Sequence, residues 1–208
     1  MGKLSDFFIG VIEFFGILIP GTLIIFLHGK MLLQPMQEHL GNLIFLSTIE
    51  SSKDWILISV FAYLAGHLLF ALSELIYNFL IKYKPHYFLF EETKMYGDKA
   101  NNYIQLPIKN KSYCTEIYYY SFSFIRVTSQ EAISEIEHKA SEYKMFRSLS
   151  ILFLLDILLS ALSLNLTISH LIFSLSLSAF SFFRFRMLLN WTYKLTFQFF
   201  IMLKQKGV

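Results

Sequence analysis

Three long stretches of the chain are almost free of charged residues: 7–27, 55–80 and 148–183. A transmembrane helix needs about 20 consecutive apolar residues, so each of the first two stretches is long enough for one crossing. The third has 36 positions, which suits two helices of about 18 residues joined by a turn at Ser163–Ser169. The pattern therefore predicts four transmembrane helices.

The segment between the second and third spans has a different pattern. Its subsequences HYFLFEE, NNYIQLPI and SYCTEIYYYSFSFIRV are rich in Tyr, Phe and Ile, and Gly97, Asp98 and Pro107 are turn signals. Residues of these types favour strands, so we expect a small three-stranded sheet here. The segment 28–54, between the first two spans, is not plainly polar. Its short amphipathic stretches are predicted to lie along the outer membrane interface.

A helix is predicted to follow this sheet. Thr128-Ser129-Gln130-Glu131 has the spacing of a capping box, in which the Thr128 hydroxyl and the Glu131 carboxylate satisfy amides of the first turn. No Gly or Pro follows before Asn165. The helix should therefore continue without a break into the third span.

The C-terminal residues show polar positions at four-residue steps, including Asn190 and Lys194. A fifth span would bury Lys194 in the bilayer, which is unfavourable because a charged side chain in hydrocarbon costs free energy. We expect a basic amphipathic helix at the inner membrane surface, with Arg184, Arg186 and Lys194 as its cations, or an extension of the fourth span that packs under the bundle.

These elements together predict an all-α membrane protein: four transmembrane helices, a small cytosolic α+β insert and a C-terminal amphipathic helix. The predicted domains are the first helix pair with its outer interfacial segment (1–81), the cytosolic insert (82–146), the second helix pair (147–183) and the basic amphipathic helix (184–208).

Composition and charge agree with a membrane location. The chain is 55% hydrophobic with 23 Phe among 208 residues, and its only cysteine, Cys114, excludes an intrachain disulfide. With four crossings, 16 of the 18 Lys and Arg residues fall on one side. The positive-inside rule assigns that side to the cytoplasm, so we expect a multi-pass protein of the bacterial inner membrane with both termini cytoplasmic.

Ionisable residues inside the predicted spans are the first candidates for function, since each costs at least ~2.5 kcal/mol in hydrocarbon. They are Glu13, His67, Glu74, Asp156 and His170, and the first four are the candidate site residues. The three carboxylates are predicted to lie at similar depth, where they could form a proton or cation site. Alternatively, they pair with arginines or with His67 as structural contacts.

His67 has two interpretations as well. It shares a helical face with Glu74 and could relay protons to it, or it could hydrogen-bond to a serine of another span. A metal site formed by His67, Glu74 and His170 is not expected, because His170 lies at the outer end of its span. No catalytic motif is found, so we expect neither enzymatic activity nor a metal or cofactor.

The insert combines basic and aromatic residues, a mixture that can bind a cytosolic protein, a nucleotide or single-stranded nucleic acid. The alternative is a solvated cap over the bundle. The candidate partner-binding residues are Lys109, Lys111, Tyr118, Tyr119, Tyr120 and Arg126.

The layout of spans and insert resembles the small four-pass membrane proteins that serve as accessories or effectors in bacterial anti-phage loci, such as the four-pass accessory of type VI-B CRISPR systems. The resemblance implies a homo-oligomer in contact with membrane lipid that permeabilises the membrane or couples to a cytosolic partner. It assigns no functional residues. The alternatives are a small proton or cation channel or transporter, and a scaffold that docks a cytosolic protein.

Overall fold

A computed structural model describes residues 14, 16–29, 52–83, 88–104, 113–164 and 166–207. Within these ranges the chain forms six helices: α1 (Gly16–Gly29), α2 (Ser52–Tyr83), α3 (Glu91–Ile104), α4 (Tyr113–Thr128), α5 (Gln130–Leu162) and α6 (Ile168–Gln205).

The predicted α+β insert is wrong, because α3 and α4 occupy its described part and no strand occurs in the ranges given above. The aromatic and β-branched residues that favoured strands are spaced for a helix instead. Ile117, Ser121 and Ile125 recur every four residues and are all fully buried on one face of α4. Burial at helical spacing outweighed the intrinsic strand preference of these residue types.

The number of predicted transmembrane helices is also corrected. Among the described residues, three helices are long and apolar enough to cross a membrane, Ile58–Ile81 within α2, and the whole of α5 and α6, while α1 is shorter. The C-terminal amphipathic helix is not a separate element, because α6 continues unbroken for 38 residues. No Gly or Pro lies between Ile168 and Gln205 to end it.

The surfaces of these three helices are largely apolar. Between 22% and 39% of each helix's most apolar stretch is buried inside the protein. Leu68 on α2, Leu158 on α5 and Phe173 on α6 are among the exposed large side chains. Apolar surface on this scale, on helices of this length, is consistent with a membrane protein.

The chain divides into two compact units, and α2, α5 and α6 contribute residues to both. The described residues of the apolar unit lie within 14–74 and 145–182, and those of the aromatic unit lie within 75–144 and 183–207.

A close helix crossing organises the apolar unit. A Cβ atom placed on Gly21 of α1 would lie 1.7 Å from the Ala62 carbonyl oxygen of α2, and one on Gly66 would lie 2.0 Å from the Ile17 carbonyl oxygen. Only glycine lets the two backbones touch in this way. The buried core beside the crossing is apolar and consists of Ile24, Ile25, Ala62, Leu69 and Leu152.

Serines join the other helices of the apolar unit. Ser178 of α6 donates to the Ser150 carbonyl oxygen of α5 at 3.0 Å, and the hydroxyls of Ser73 on α2 and Ser148 on α5 lie 3.3 Å apart. Small hydroxylated residues let helices pack closely and bond across the contact.

The aromatic unit has a core of stacked and edge-on rings. The Tyr118 ring of α4 lies parallel to the Tyr193 ring of α6 with centroids 4.0 Å apart. Phe185, Phe197 and Phe200 of α6 are almost fully buried in the same unit. Large aromatic side chains bury much apolar area, which explains how short helices such as α3 and α4 are held here.

One buried side chain, Asn190 of α6, fixes the start of α3. Its Oδ1 accepts hydrogen bonds from the Phe90 amide at 2.6 Å and the Thr93 hydroxyl at 2.9 Å. Its Nδ2 donates to the carbonyl oxygens of Phe88 at 2.6 Å and Arg186 at 2.8 Å. The amide of Phe90, the N-cap residue of α3, is thus satisfied by a side chain from a distant helix, in the role that the N3 side chain fills in a capping box.

Candidate functional site

A buried carboxylate with two histidine partners is the most unusual polar feature of the apolar unit. Asp156 of α5 is 2% exposed. Its Oδ1 lies 2.8 Å from His28 Nε2, and its Oδ2 lies 2.9 Å from His170 Nε2. The Ser174 hydroxyl donates a short third hydrogen bond to Oδ2. We call Asp156, His28, His170 and Ser174 the Asp156 site.

Helical periodicity brings these four side chains together. On α1, His28 lies two turns beyond Gly21 and therefore on the face that packs into the unit. On α5, Asp156 follows the buried Leu152 by one turn. On α6, His170 and Ser174 are likewise one turn apart, so both face α5.

The hydrogen bonds suit an ionised carboxylate. Such a group only accepts, and both of its oxygens are engaged by donors here. Each imidazole can donate through Nε2 both when it is neutral and when it is protonated, so the site can gain or lose a proton while these bonds persist. Charge-assisted bonds of this kind offset the cost of placing a carboxylate among apolar residues.

Access to solvent differs between the two histidines. The His28 side chain is 8% exposed, the Asp156 side chain 3% and the His170 side chain 31%. His170 also lies 3.2 Å from the Ser160 hydroxyl, and its backbone amide is bonded to the Thr167 hydroxyl in the turn that joins α5 to α6.

The site is not arranged for a metal ion. Among the described residues, no group of three or more His, Cys, Asp or Glu side chains could hold one. The group of His67, Glu74 and His170 considered from the sequence is not assembled. His67 is exposed on α2, with its ring edge-on to Tyr63 at 4.5 Å, whereas His170 contacts Asp156.

Glu74 is placed away from the Asp156 site. Its carboxylate lies 3.8 Å from Arg147 Nη2, and the Arg147 guanidinium stacks over the Phe70 ring at 4.9 Å. Arg147 precedes Asp156 by nine residues on α5, which corresponds to ~14 Å along the helix. The two carboxylates therefore lie at different levels, and Glu13 lies outside the described residues.

The candidate binding residues of the insert that the structure describes differ in their exposure. Tyr118 is buried by its stacking on Tyr193, whereas Tyr119 and Tyr120 are 62% and 48% exposed. Burial raises the pKa of the Tyr118 hydroxyl well above its usual value. Arg126 is exposed at the end of α4, and Lys109 and Lys111 lie outside the described residues.

The predicted inner-surface cations belong to α6 and pack within the aromatic unit. The Arg186 guanidinium lies over the Phe90 ring at 4.7 Å, and Arg184 is half-buried. Lys194 forms an ion pair with Glu92 of α3 and lies 5.4 Å from the centre of the Tyr96 ring. These contacts anchor α3 to α6.

Sequence reasoning found Asp156 but not its partners. The four-residue spacing of His170, Ser174 and Ser178 was a usable signal, since it places them on one helical face. His28 gave no such signal, because the pattern assigned it to the outer interfacial segment. The contact with Asp156 spans 128 positions of sequence.

Comparison with protein-family models, curated proteins and solved structures found no match. The role in anti-phage defence, self-association and the absence of enzymatic activity therefore stay predictions.

Proposed function

We propose that this chain is an integral membrane protein that binds and releases protons at the Asp156 site, as a small proton channel or proton-coupled transporter of a bacterial inner membrane. The observation that carries the proposal is the buried carboxylate held by two imidazoles in the apolar unit. Ionisable groups in membrane-spanning helices are costly, and proton pathways use this combination of residues.

The chemistry favours protons over metal cations. A bound cation needs several ligands directed at one point, and no group of three or more His, Cys, Asp or Glu side chains among the described residues could hold one. Imidazole is the side chain that proteins most often use to pass protons between water and another group, and two imidazoles contact the Asp156 carboxylate here.

Charge distribution supports an orientation. Fourteen of the 18 Lys and Arg residues lie in the sequence ranges 75–144 and 183–208, which contain the described residues of the aromatic unit. The positive-inside rule places such segments in the cytoplasm. On this proposal the turn between α5 and α6 faces the opposite side of the membrane.

Proton flux into reconstituted vesicles tests the proposal. Purified protein in phospholipid vesicles that contain a pH-sensitive dye should acidify the lumen faster than empty vesicles after an external acid step. Asp156→Asn preserves the size of the side chain and removes its charge, and we expect it to lower the flux at least about tenfold.

Glu74→Gln is the matched control, since it removes a carboxylate of the same unit that is paired with Arg147 outside the site. We expect it to leave the flux unchanged. Wild-type protein without flux above that of empty vesicles would contradict the proposal. So would full flux in a folded Asp156→Asn protein, with folding checked by circular dichroism.

A further inference from the structure

We infer that, in the conformation of this structure, protons reach Asp156 from one side of the membrane only, through His170 and from the side of the α5–α6 turn, while His28 is the buried partner of the carboxylate. Transport across the membrane then requires a second conformation. This inference rests on the proposed function and adds a direction to it. It assigns different roles to two histidines that make equivalent contacts with the same carboxylate.

The first support is the difference in burial between the two histidines. The His170 side chain is 31% exposed, whereas the His28 side chain is 8% exposed and the Asp156 side chain 3%. His170 is the third residue of α6, directly after the turn, and Thr167, Ile168 and Ser169 beside it are exposed. Water at the turn can therefore reach the His170 ring before any other member of the site.

Hydroxyl groups line the same end. Ser160 Oγ lies 3.2 Å from His170 Nε2, and Thr167 Oγ1 accepts a hydrogen bond from the His170 amide. These contacts hold the ring with Nε2 directed at Asp156 Oδ2. Such a ring can take a proton from water at Nδ1 and pass its Nε2 proton to the carboxylate, so that one proton is gained and one is transferred at each step.

Toward the opposite side, the packing of α5 against α1 and α2 is apolar. One helical turn before Asp156, α5 contributes the fully buried Leu152, which packs with Ile24 and Ile25 of α1 and Leu69 of α2. The side chains that α1 and α2 contribute to this layer offer no hydrogen-bonding group for a proton. On the α6 side of α5, the Ser178 hydroxyl is engaged by the Ser150 carbonyl oxygen.

The titratable and charged groups near Asp156 can be named for each helix that packs around it. His28 is the titratable contact from α1 and His170 the one from α6, which also contributes the neutral Ser174. From α2, Ala62, Ala65 and Leu69 face this core. The ion pair between Arg147 of α5 and Glu74 of α2 is farther away, because Arg147 precedes Asp156 by nine residues.

A one-sided acid step tests the inference on the full chain. In a Cys114→Ser background, Leu164→Cys places a thiol in the α5–α6 turn, where Leu164 is 94% exposed. The protein is reconstituted at less than one molecule per vesicle. An impermeant biotin–maleimide then labels the thiol from outside, so that the vesicles whose turn faces outward can be captured through the biotin. The measured signal is the infrared band of the protonated Asp156 carboxyl group, which is identified by its absence in Asp156→Asn. The acid step is centred on the pH midpoint of this band, determined beforehand for the protein in detergent.

We expect the captured vesicles to respond within the mixing time. The uncaptured vesicles should respond later, at the rate at which the protein's own flux acidifies the lumen, or at once when a protonophore equalises the pH. In the captured vesicles, His170→Gln should slow the response at least about tenfold. His28→Gln, the variant of the buried partner, should alter the midpoint and should slow the response much less than His170→Gln does. Glu74→Gln, outside the Asp156 site, is the control that should leave the speed unchanged.

The possible failures are distinguishable. An immediate response in both populations, or only in the uncaptured one, overturns the inference and leaves the proton site in place. An unchanged rate in His170→Gln also overturns it. The lack of any Asp156-dependent signal, even with the protonophore, contradicts the proposed function itself.

Discussion

Cys114 shows how burial changes the chemistry of a single residue. It is half-buried on α4, where a Cβ atom on Gly97 of α3 would lie 3.4 Å from its sulfur. Burial, with a smaller contribution from the Asp98 carboxylate, raises the pKa of its thiol from 9.0 to about 11. The neutral thiol is therefore the stable form in the folded protein over the whole physiological range.

We predict slow alkylation of Cys114 in the folded protein. A pKa higher by two units makes the reactive thiolate about a hundredfold scarcer at pH 8, so the rate with iodoacetamide should keep rising up to about pH 11. Ser123→Cys in a Cys114→Ser chain gives an exposed control thiol on the same helix. Equal rates for the two thiols, measured by mass spectrometry, would contradict the prediction.

Asn190 is a second residue whose substitution has a defined outcome. Asn190→Ala removes the acceptor of the Phe90 amide and the Thr93 hydroxyl. At about 1 kcal/mol for each of these bonds, amide exchange at the start of α3 should become roughly thirtyfold faster.

Asn102→Ala is the control for Asn190→Ala, because Asn102 is exposed on α3. Hydrogen exchange followed by mass spectrometry measures both variants. Protection of residues 90–94 that is unchanged in Asn190→Ala would show that α3 is held mainly by its other contacts, such as the Lys194–Glu92 ion pair.

At the scale of the element, the crossing of α1 and α2 depends on two glycines. Gly21→Ala would place a methyl group 1.7 Å from the Ala62 carbonyl oxygen, so the helices must separate. We predict a loss of about 1–3 kcal/mol in the free energy of unfolding, as is typical of overpacked sites. Because His28 lies on the same helix, the separation should also weaken its contact with Asp156.

Gly97→Ala provides the comparison for this prediction. Its added methyl group would meet Cys114 and Phe197 side-chain atoms at 3.4–3.5 Å, close to ordinary contact distance, and alanine favours a helix over glycine. We expect it to be neutral or slightly stabilising. Thermal unfolding in detergent measures both variants, and equal midpoints would contradict the proposed role of the crossing.

The helices could be predicted where a signal was local. The continuous α5 follows from the absence of Gly and Pro, and its start was placed within one residue. The cap is Ser129, whose hydroxyl accepts from the Ala132 amide at 3.3 Å, whereas Thr128 bonds back to the Phe124 carbonyl oxygen. Two adjacent hydroxylated residues offer the same capping chemistry, so the sequence could not separate them.

What the sequence could not show depended on distant contacts. Helix α4 has the composition of a strand and is stabilised by the stacking of Tyr118 on Tyr193, 75 positions away. Likewise, Asp156 was recognised as a buried ion, but its partner His28 lies on another helix. Contacts of this kind leave no periodic trace in a single sequence, because each partner separately satisfies its own local pattern.

For the whole molecule, charge distribution predicts the orientation in the membrane. In the Cys114→Ser chain, an impermeant thiol reagent should label Lys206→Cys only in inside-out vesicles and Leu164→Cys only in right-side-out vesicles. Both positions are exposed, so labelling reports their side of the membrane. Labelling of both thiols from the same side would contradict the predicted orientation.

The contact between Asn190 and the start of α3 also has a consequence in time. Phe90 and Asn190 are 100 positions apart. At a synthesis rate of about 5–20 residues per second, residues 88–93 leave the ribosome roughly 5–20 seconds before the side chain that secures them. During this interval the nascent α3 depends on its own weak helical preference, so its segment is open to proteases and chaperones until α6 emerges.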